Sequence, residues 1–155
     1  MFDPKTPIET WYFALAVVRL GHRFLLVRER KHEQRWYWPA GRMHHGEQWQ
    51  ACARRETFEE SGVSVNLEGI LRIEHSPQPS ISRMRVVFIG SPADDTPPRH
   101  LPNEHTLEAG WFSAQEMGSL PMRSQEVLEI AAYVLGGGTI YPLNLLRAEG
   151  TSWTL

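Results

Sequence analysis

Three glutamates in one short stretch give the first chemical signal. Residues 47–60, EQWQACARRETFEE, hold no glycine or proline, which predicts a helix stopping at Ser61-Gly62. At roughly 100° per residue, with Glu56 set to zero, Glu59 falls at roughly 300° and Glu60 at roughly 40°. The three carboxylates share one face at spacing i, i+3, i+4, where they repel unless a cation neutralises them. An all-oxygen ligand set selects a hard ion, Mg²⁺ or Mn²⁺, over zinc. Arg55, at roughly 260° on the same wheel, lies beside Glu59 and is placed to pair with a carboxylate. Phe58 and Ala51, at roughly 200° and 220°, are expected to form the apolar face that packs on a sheet. For the glutamates alone, a solvated acidic face is the competing reading.

The elements around this helix set its position. Residues 11–20, WYFALAVVRL, and 23–29, RFLLVRE, read as strands around a Gly21-His22 turn, a hairpin over 11–29. Residues 30–35 are polar and loop-like, Trp36-Tyr37-Trp38 is a short strand stopped by Pro39, and Gly41 to Gly46 is a loop. Strands follow at about 63–75 and 81–90, separated by Pro77 and Pro79. Residues 91–107, with four prolines, form a long polar loop, a type that is usually functional or disordered. A short strand at 108–113 precedes a helix over 123–135, whose Val127, Leu128, Ile130, Ala131 and Leu135 recur at helical spacing. The order is α+β, or mixed α/β, with too few helices for a doubly wound parallel sheet. The expectation is a mixed sheet with helix 47–60 on one face and helix 123–135 on the other.

Composition closes off several classes. The chain has 155 residues, 41% hydrophobic and 22% charged, which predicts one globular domain over 1–155. Residues 1–9 read as a loose lead-in and 139–155 as a C-terminal tail. Six tryptophans exclude wholesale disorder, and the single cysteine, Cys52, excludes an intrachain disulfide framework. A net charge of -2 gives no global basic field, so no nucleic-acid polymer is expected as partner. No segment reads as a membrane span or a signal peptide, and the lone thiol suits a reducing compartment, giving a cytoplasmic expectation with no membrane partner.

The full spacing adds a resemblance. Gly41, five residues, Glu47, seven residues, Arg55-Glu56, Thr57, Phe58, Glu59-Glu60, Ser61 and Gly62-Val63 resemble the box of the Nudix hydrolase family, Gly-x5-Glu-x7-Arg-Glu-U-x-Glu-Glu-x-Gly-U with U aliphatic. Thr57 is the one departure, at a packing position rather than a ligand position. The resemblance covers most of the chain. It implies a Nudix-type α/β/α sandwich with a mixed β-sheet between helices. It also implies Mg²⁺- or Mn²⁺-dependent hydrolysis of a phosphoanhydride bond in a nucleoside diphosphate linked to another group. Glu59 and Glu60 resemble the principal metal carboxylates. Glu56 resembles a further ligand or the base that deprotonates water, and Arg55 the arginine that orients it. The Gly41 carbonyl resembles a metal ligand, and Glu47 the glutamate that braces the loop, at times through metal-bound water. A loop glutamate supplies the base in some relatives, which makes Glu104 a candidate. The implied partner is a small nucleotide, and many relatives form homodimers.

The substrate is less legible. Trp36-Tyr37-Trp38-Pro39-Ala40-Gly41-Arg42-Met43 and the later Leu120-Pro121-Met122-Arg123 resemble the subgroup acting on oxidised guanine nucleoside diphosphates. Hydrolysis of ADP-ribose or another nucleoside diphosphate derivative is the alternative. A non-catalytic nucleotide-sensing module is the alternative of another class, and the retention of Glu56, Glu59 and Glu60 argues against it. Candidate substrate contacts are Arg42, Arg83 and Arg85, through phosphates, and Trp111, through base stacking. His44 and His45 lack zinc partners at useful spacing, and Cys52 has no nucleophile signature around it.

Overall fold

A computed structural model describes residues 3–155; Met1 and Phe2, the start of the lead-in, lie outside the described residues. Seven strands form a mixed sheet: β1 (Thr10–Leu20), β2 (Arg23–Glu29), β3 (Trp36–Tyr37), β4 (Ala40–Arg42), β5 (Val65–Pro77), β6 (Ser82–Pro92) and β7 (Thr106–Ser113). Among the described residues three α-helices accompany them: α1 (Trp49–Ser61), α2 (Ala114–Met117) and α3 (Glu126–Leu135). The main path runs β3-β2-β1-β6-β5, with β4 paired to β1 and β7 to β2. Among the strand pairs of the described residues only β1 and β6 run parallel, the remaining pairs being antiparallel.

β1 organises the sheet. Residues 14–18 are all buried, and strand geometry turns Ala14, Ala16 and Val18 to one side and Leu15 and Val17 to the other. α1 covers the first side, where Cys52 and Ala53 pack with Ala14, Ile70, Val86 and Phe88. α3 covers the second, where Val127, Ala131 and Val134 pack with Leu15, Val17, Val87 and Ile89. Each valine, leucine, isoleucine or phenylalanine among these, taken fully from water, contributes roughly 1.5–3 kcal/mol before ordering costs. The expected layering, one helix per face, is the one observed.

Several local expectations change. The 11–29 hairpin exists only at its tip, where Arg19 faces Phe24 and Leu20 faces Arg23. Beyond it the strands splay, because β1 pairs with β4 and β6 while β2 pairs with β3 and β7. The Gly41–Gly46 stretch is not all loop: Gly41 and Arg42 belong to β4, with Gly41 opposite Ala14. Its polar, glycine-bearing residues hid a strand only three residues long. α2 and the short 3₁₀ turns at His32–Gln34 and Leu143–Leu145 carry too little periodicity to read from sequence.

The faces of α1 also differ from the helical-wheel expectation. Phe58 is 56% exposed and Ala51 is exposed, whereas Cys52, Ala53, Thr57 and Ser61 are buried. The buried stripe is centred roughly 60° from Glu56, so it overlaps the acidic stripe instead of opposing it. Small side chains let the helix lie close against the sheet, and they carry Glu56 and Glu60 inward with them. Thr57, the departure from the family pattern, is fully buried and satisfies its hydroxyl by donating to the Ala53 carbonyl at 2.7 Å.

Candidate active site

The acidic helix meets the β4 backbone at close range. A Cβ built on Gly41 would fall 2.1 Å from Glu56 Cδ, so only glycine leaves room for that carboxylate. Arg55 fixes the cluster from the other side. Its Nε and Nη2 donate to Glu47 at 2.6 and 2.9 Å, and its Nη1 to Glu56 at 2.8 Å and Glu59 at 3.1 Å. Nη2 also reaches the Arg42 carbonyl at 3.1 Å. One guanidinium therefore holds three carboxylates and ties the loop after β4 to α1, and its geometry suits forked contacts. Glu47 closes the loop by accepting the His44 N–H at 2.9 Å.

Electrostatics separate the acids. The Arg55 hydrogen bonds hold Glu47 down at about 2, against the opposing effect of burial. Burial pushes Glu56 up, with Arg55 opposing and Glu59 adding to the rise. Glu60 stands well above the ordinary carboxylate range, chiefly through burial; the Ala40 N–H, 2.8 Å away, opposes the shift, and Glu56, Glu29 and Glu59 add to it. Arg55 is held firmly charged, first by Glu47, with burial opposing. The Cys52 thiol, 3.7 Å from the Gly41 carbonyl, is pushed up to about 12 by burial, with Glu47 adding to the shift, and is a poor nucleophile.

Two buried, repelling carboxylates are a cost that a divalent cation would offset. The donor set, carboxylate oxygens plus a backbone carbonyl, is that of a hard ion. Among the described residues no three carboxylate, imidazole or thiol groups already converge as a finished cage. The fit therefore rests on donor chemistry and on the space that Gly41 leaves beside Glu56.

The expected loop 91–107 is shorter in the structure, because β6 runs to Pro92 and β7 begins at Thr106, and this stretch packs against the end of α1. Arg99 Nη2 donates to the Glu60 carbonyl at 2.8 Å and the Glu59 carbonyl at 3.3 Å. Asn103 Nδ2 donates to the Glu59 carbonyl at 3.0 Å, and the Thr106 hydroxyl to the Glu60 carbonyl at 2.5 Å. These donors satisfy carbonyls that a helix leaves free at its C-terminus. Glu104 is in this loop with its side chain 86% exposed, 3.4 Å from His105.

The side chains of the other candidates make different contacts, although the Arg42 carbonyl is part of the clamp. Arg42 sits over the Trp11 ring and Arg83 over the Phe13 ring, 4.9 and 4.4 Å from the centroids. Trp111 packs against the cluster containing Ala16 and Val18. Arg85 points to the α3 side, where it is held by Glu74, Glu126 and the Tyr37 hydroxyl. Sequence reasoning missed Glu29, at the end of β2. Its carboxylate pairs with Arg123 at 3.0 Å, its other oxygen is buried with no hydrogen-bond partner among the described residues, and it helps raise Glu60. A charged residue ending an apolar strand was its only signal. Arg99, the arginine of a proline-rich loop, was equally silent.

The NUDIX domain family matches residues 12–132, and the chain belongs to the Nudix family. Its fold is the α+β fold of solved Nudix hydrolases. A NUDIX hydrolase from Nitrosomonas europaea superposes with a TM-score of 0.75 at 26% identity, over 93% of this chain and 100% of that one. An ADP-ribose pyrophosphatase from Streptococcus suis shares the fold, with a TM-score of 0.63 at 19% identity over 81% of this chain and 91% of that one. Among curated proteins, the human 8-oxo-dGDP phosphatase NUDT18 is 31% identical over 136 residues, 83% of this chain. The chain spans 41% of that relative's length. Among the described residues no helix is long and apolar enough to cross a membrane.

Proposed function

We propose that the chain is a Mg²⁺- or Mn²⁺-dependent hydrolase that cleaves a phosphoanhydride bond in a nucleoside diphosphate derivative, with oxidised guanine nucleotides as the preferred class. The observation that carries this reading is the Arg55 clamp, which gathers Glu47, Glu56 and Glu59 beside Gly41. The resemblance to the 8-oxo-dGDP phosphatase supports the substrate class. The location we assign is cytoplasmic, and the partner is a small nucleotide.

In this reading Glu56, Glu59, Glu60 and the Gly41 carbonyl would hold the metal, and Glu47 would assist through water. When bound, the ion supplies charge neutralisation at the phosphates and a more acidic water. Arg55 keeps the Glu56 and Glu59 carboxylates aligned, and the Ala40 N–H fixes one oxygen of Glu60. Where Glu56 does not hold the metal it would accept the proton of the attacking water, with Glu104 as the loop candidate for that task. The Arg99, Asn103 and Thr106 contacts hold the end of α1 still, so the acids keep their spacing.

The test is a product-resolved screen with Mg²⁺ and with Mn²⁺. It takes in 8-oxo-guanosine diphosphates and triphosphates, their unoxidised forms, ADP-ribose, dinucleoside polyphosphates and nucleotide sugars. Turnover of one class, lost in Glu60→Gln, supports the reading and names the class. Turnover of ADP-ribose alone moves the substrate assignment, and silence across the panel favours a nucleotide-sensing module.

A further inference from the structure

Residues 36–40 run from one anchored group to another. At the far end the Ala40 N–H holds Glu60, 2.8 Å away. At the near end the Trp36 N–H donates to the Pro121 carbonyl and the Arg123 N–H to the Trp36 carbonyl, both at 2.9 Å. The backbone of Arg123 is therefore fixed to the segment that leads into the acidic cluster. Its side chain is fixed as well. The guanidinium lies over the Tyr37 ring, 4.6 Å from the centroid, and Nη1 donates to Glu29 at 3.0 Å.

Glu29 joins this arginine to the acids. It ends β2 opposite Thr106, whose hydroxyl donates to the Glu60 carbonyl at 2.5 Å. One Glu29 oxygen takes Arg123, and the other is buried with no hydrogen-bond partner among the described residues. Buried polar atoms are normally met, and an exception calls for a role. Arg123 is held without being used up. Its side chain is 37% exposed, and among the described residues neither its Nε nor its Nη2 makes a hydrogen bond. Two other arginines near the acids are committed, Arg55 to Glu47, Glu56 and Glu59, and Arg99 to helix carbonyls and the Thr106 hydroxyl.

Resting on the proposed hydrolase reading, we propose that Arg123 binds the terminal phosphate of the substrate and that Glu29 is the residue that positions it. A guanidinium with Nε and one Nη free presents two parallel N–H groups, the fork that takes two oxygens of one phosphate. Stacking on Tyr37 and the ion pair with Glu29 have already removed side-chain freedom that binding would otherwise have to freeze. A free terminal phosphate brings about two negative charges at neutral pH, and a phosphate capped by a sugar carries less. The contact therefore favours a nucleoside diphosphate over its sugar ester.

The test separates phosphate binding from catalysis. The full chain with Mg²⁺ is titrated with methylenediphosphonate, a diphosphate analogue that carries no base and has no bridging oxygen to cleave. Calorimetry gives the affinity, and NMR spectra follow the arginine Nε–H signals. The Arg123 Nε–H signal should shift. Arg123→Gln should weaken binding about 10- to 100-fold, as for a hydrogen bond between charged groups, and Arg123→Lys should recover part of the loss. Glu29→Gln keeps an acceptor for Nη1 and removes a buried charge, so it should weaken binding by less without lowering Tm. With a hydrolysed nucleotide, both glutamine variants should raise KM more than they lower kcat. In competition with the probe, guanosine diphosphate should lose more affinity on Arg123→Gln than a guanosine diphosphate sugar does. Probe binding that depends on Arg123, without hydrolysis of any nucleotide, overturns the catalytic reading and leaves the phosphate site standing. Hydrolysis with a probe affinity indifferent to Arg123→Gln, or equal losses for the free and capped diphosphates, overturns the phosphate site alone.

Discussion

The Glu56 carboxylate lies where a side chain at residue 41 would begin: a Cβ built on Gly41 falls 2.1 Å from Glu56 Cδ and 2.2 Å from its Oε1. The backbone of β4 and the acidic face of α1 are thus in direct contact, with Arg55 closing the other side. Gly41→Ala should displace the carboxylate from the guanidinium. We expect stability to fall by about 1–3 kcal/mol, as for an overpacked site. Turnover should fall by about 100-fold, as for catalytic groups moved by an ångström. Melting curves and steady-state rates check both; a variant with ordinary rates would show that Glu56 does not act where this geometry puts it.

Arg55 is the second lever. Lysine keeps the charge but presents one donor centre where the guanidinium presents a fork. Arg55→Lys should retain part of the attraction and lose the simultaneous hold on Glu47, Glu56, Glu59 and the Arg42 carbonyl. The expected result is a folded protein, about 1–3 kcal/mol less stable, with kcat reduced more than KM is raised. Equal stability and rate in the two proteins would show that the fork geometry is unimportant.

Glu60 separates metal binding from folding. Its carboxylate is buried beside other acids and is held by the Ala40 N–H. Glutamine keeps an oxygen for that N–H and removes the buried charge. Without metal, Glu60→Gln should therefore melt at or above the wild-type temperature. With Mn²⁺ or Mg²⁺ the order should reverse, because a ligand that binds only the folded state raises Tm with its concentration. An identical Tm response of both proteins to metal would remove Glu60 from the ligand set.

These sites differ in how far their residues announced them. Arg55, Glu56 and Glu59 were legible because a helix converts spacing into a shared face, whereas Glu47, ahead of α1, was marked only by the family resemblance; the clamp joins all four. The two-sided sheet was legible from β1, whose continuous apolar run, Ala14 to Val18, is buried on both faces. The inward face of α1 was misread because Phe58 seemed the natural anchor. The helix lies too close to the sheet for so large a side chain and buries Ala53, Thr57 and Ser61 instead. Contacts made across long stretches of sequence left no local mark. Arg99 on the end of α1, Glu29 with Arg123, and Tyr141 on Ile70 of β5 depend on packing between distant segments.

Acid titration should expose the Arg55 clamp in free-energy terms. Glu47 is held at about 2 in the folded protein, mainly by the Arg55 hydrogen bonds, against an ordinary value of 4.5. As pH falls below about 4.5, the unfolded chain binds a proton that the folded chain refuses, so stability declines until about pH 2. Glu126, lowered by Arg85, acts in the same direction. Glu56 and Glu60 act oppositely: burial raises both, so their contribution is present below the ordinary carboxylate range and is lost as pH rises through their folded values. Urea midpoints of the metal-free protein between pH 2 and pH 7 measure the balance. Glu47→Gln should unfold more easily than wild type at neutral pH, and the gap should close as acid removes the wild-type advantage. Parallel curves at every pH would mean that the Glu47 charge contributes nothing to holding the loop on α1.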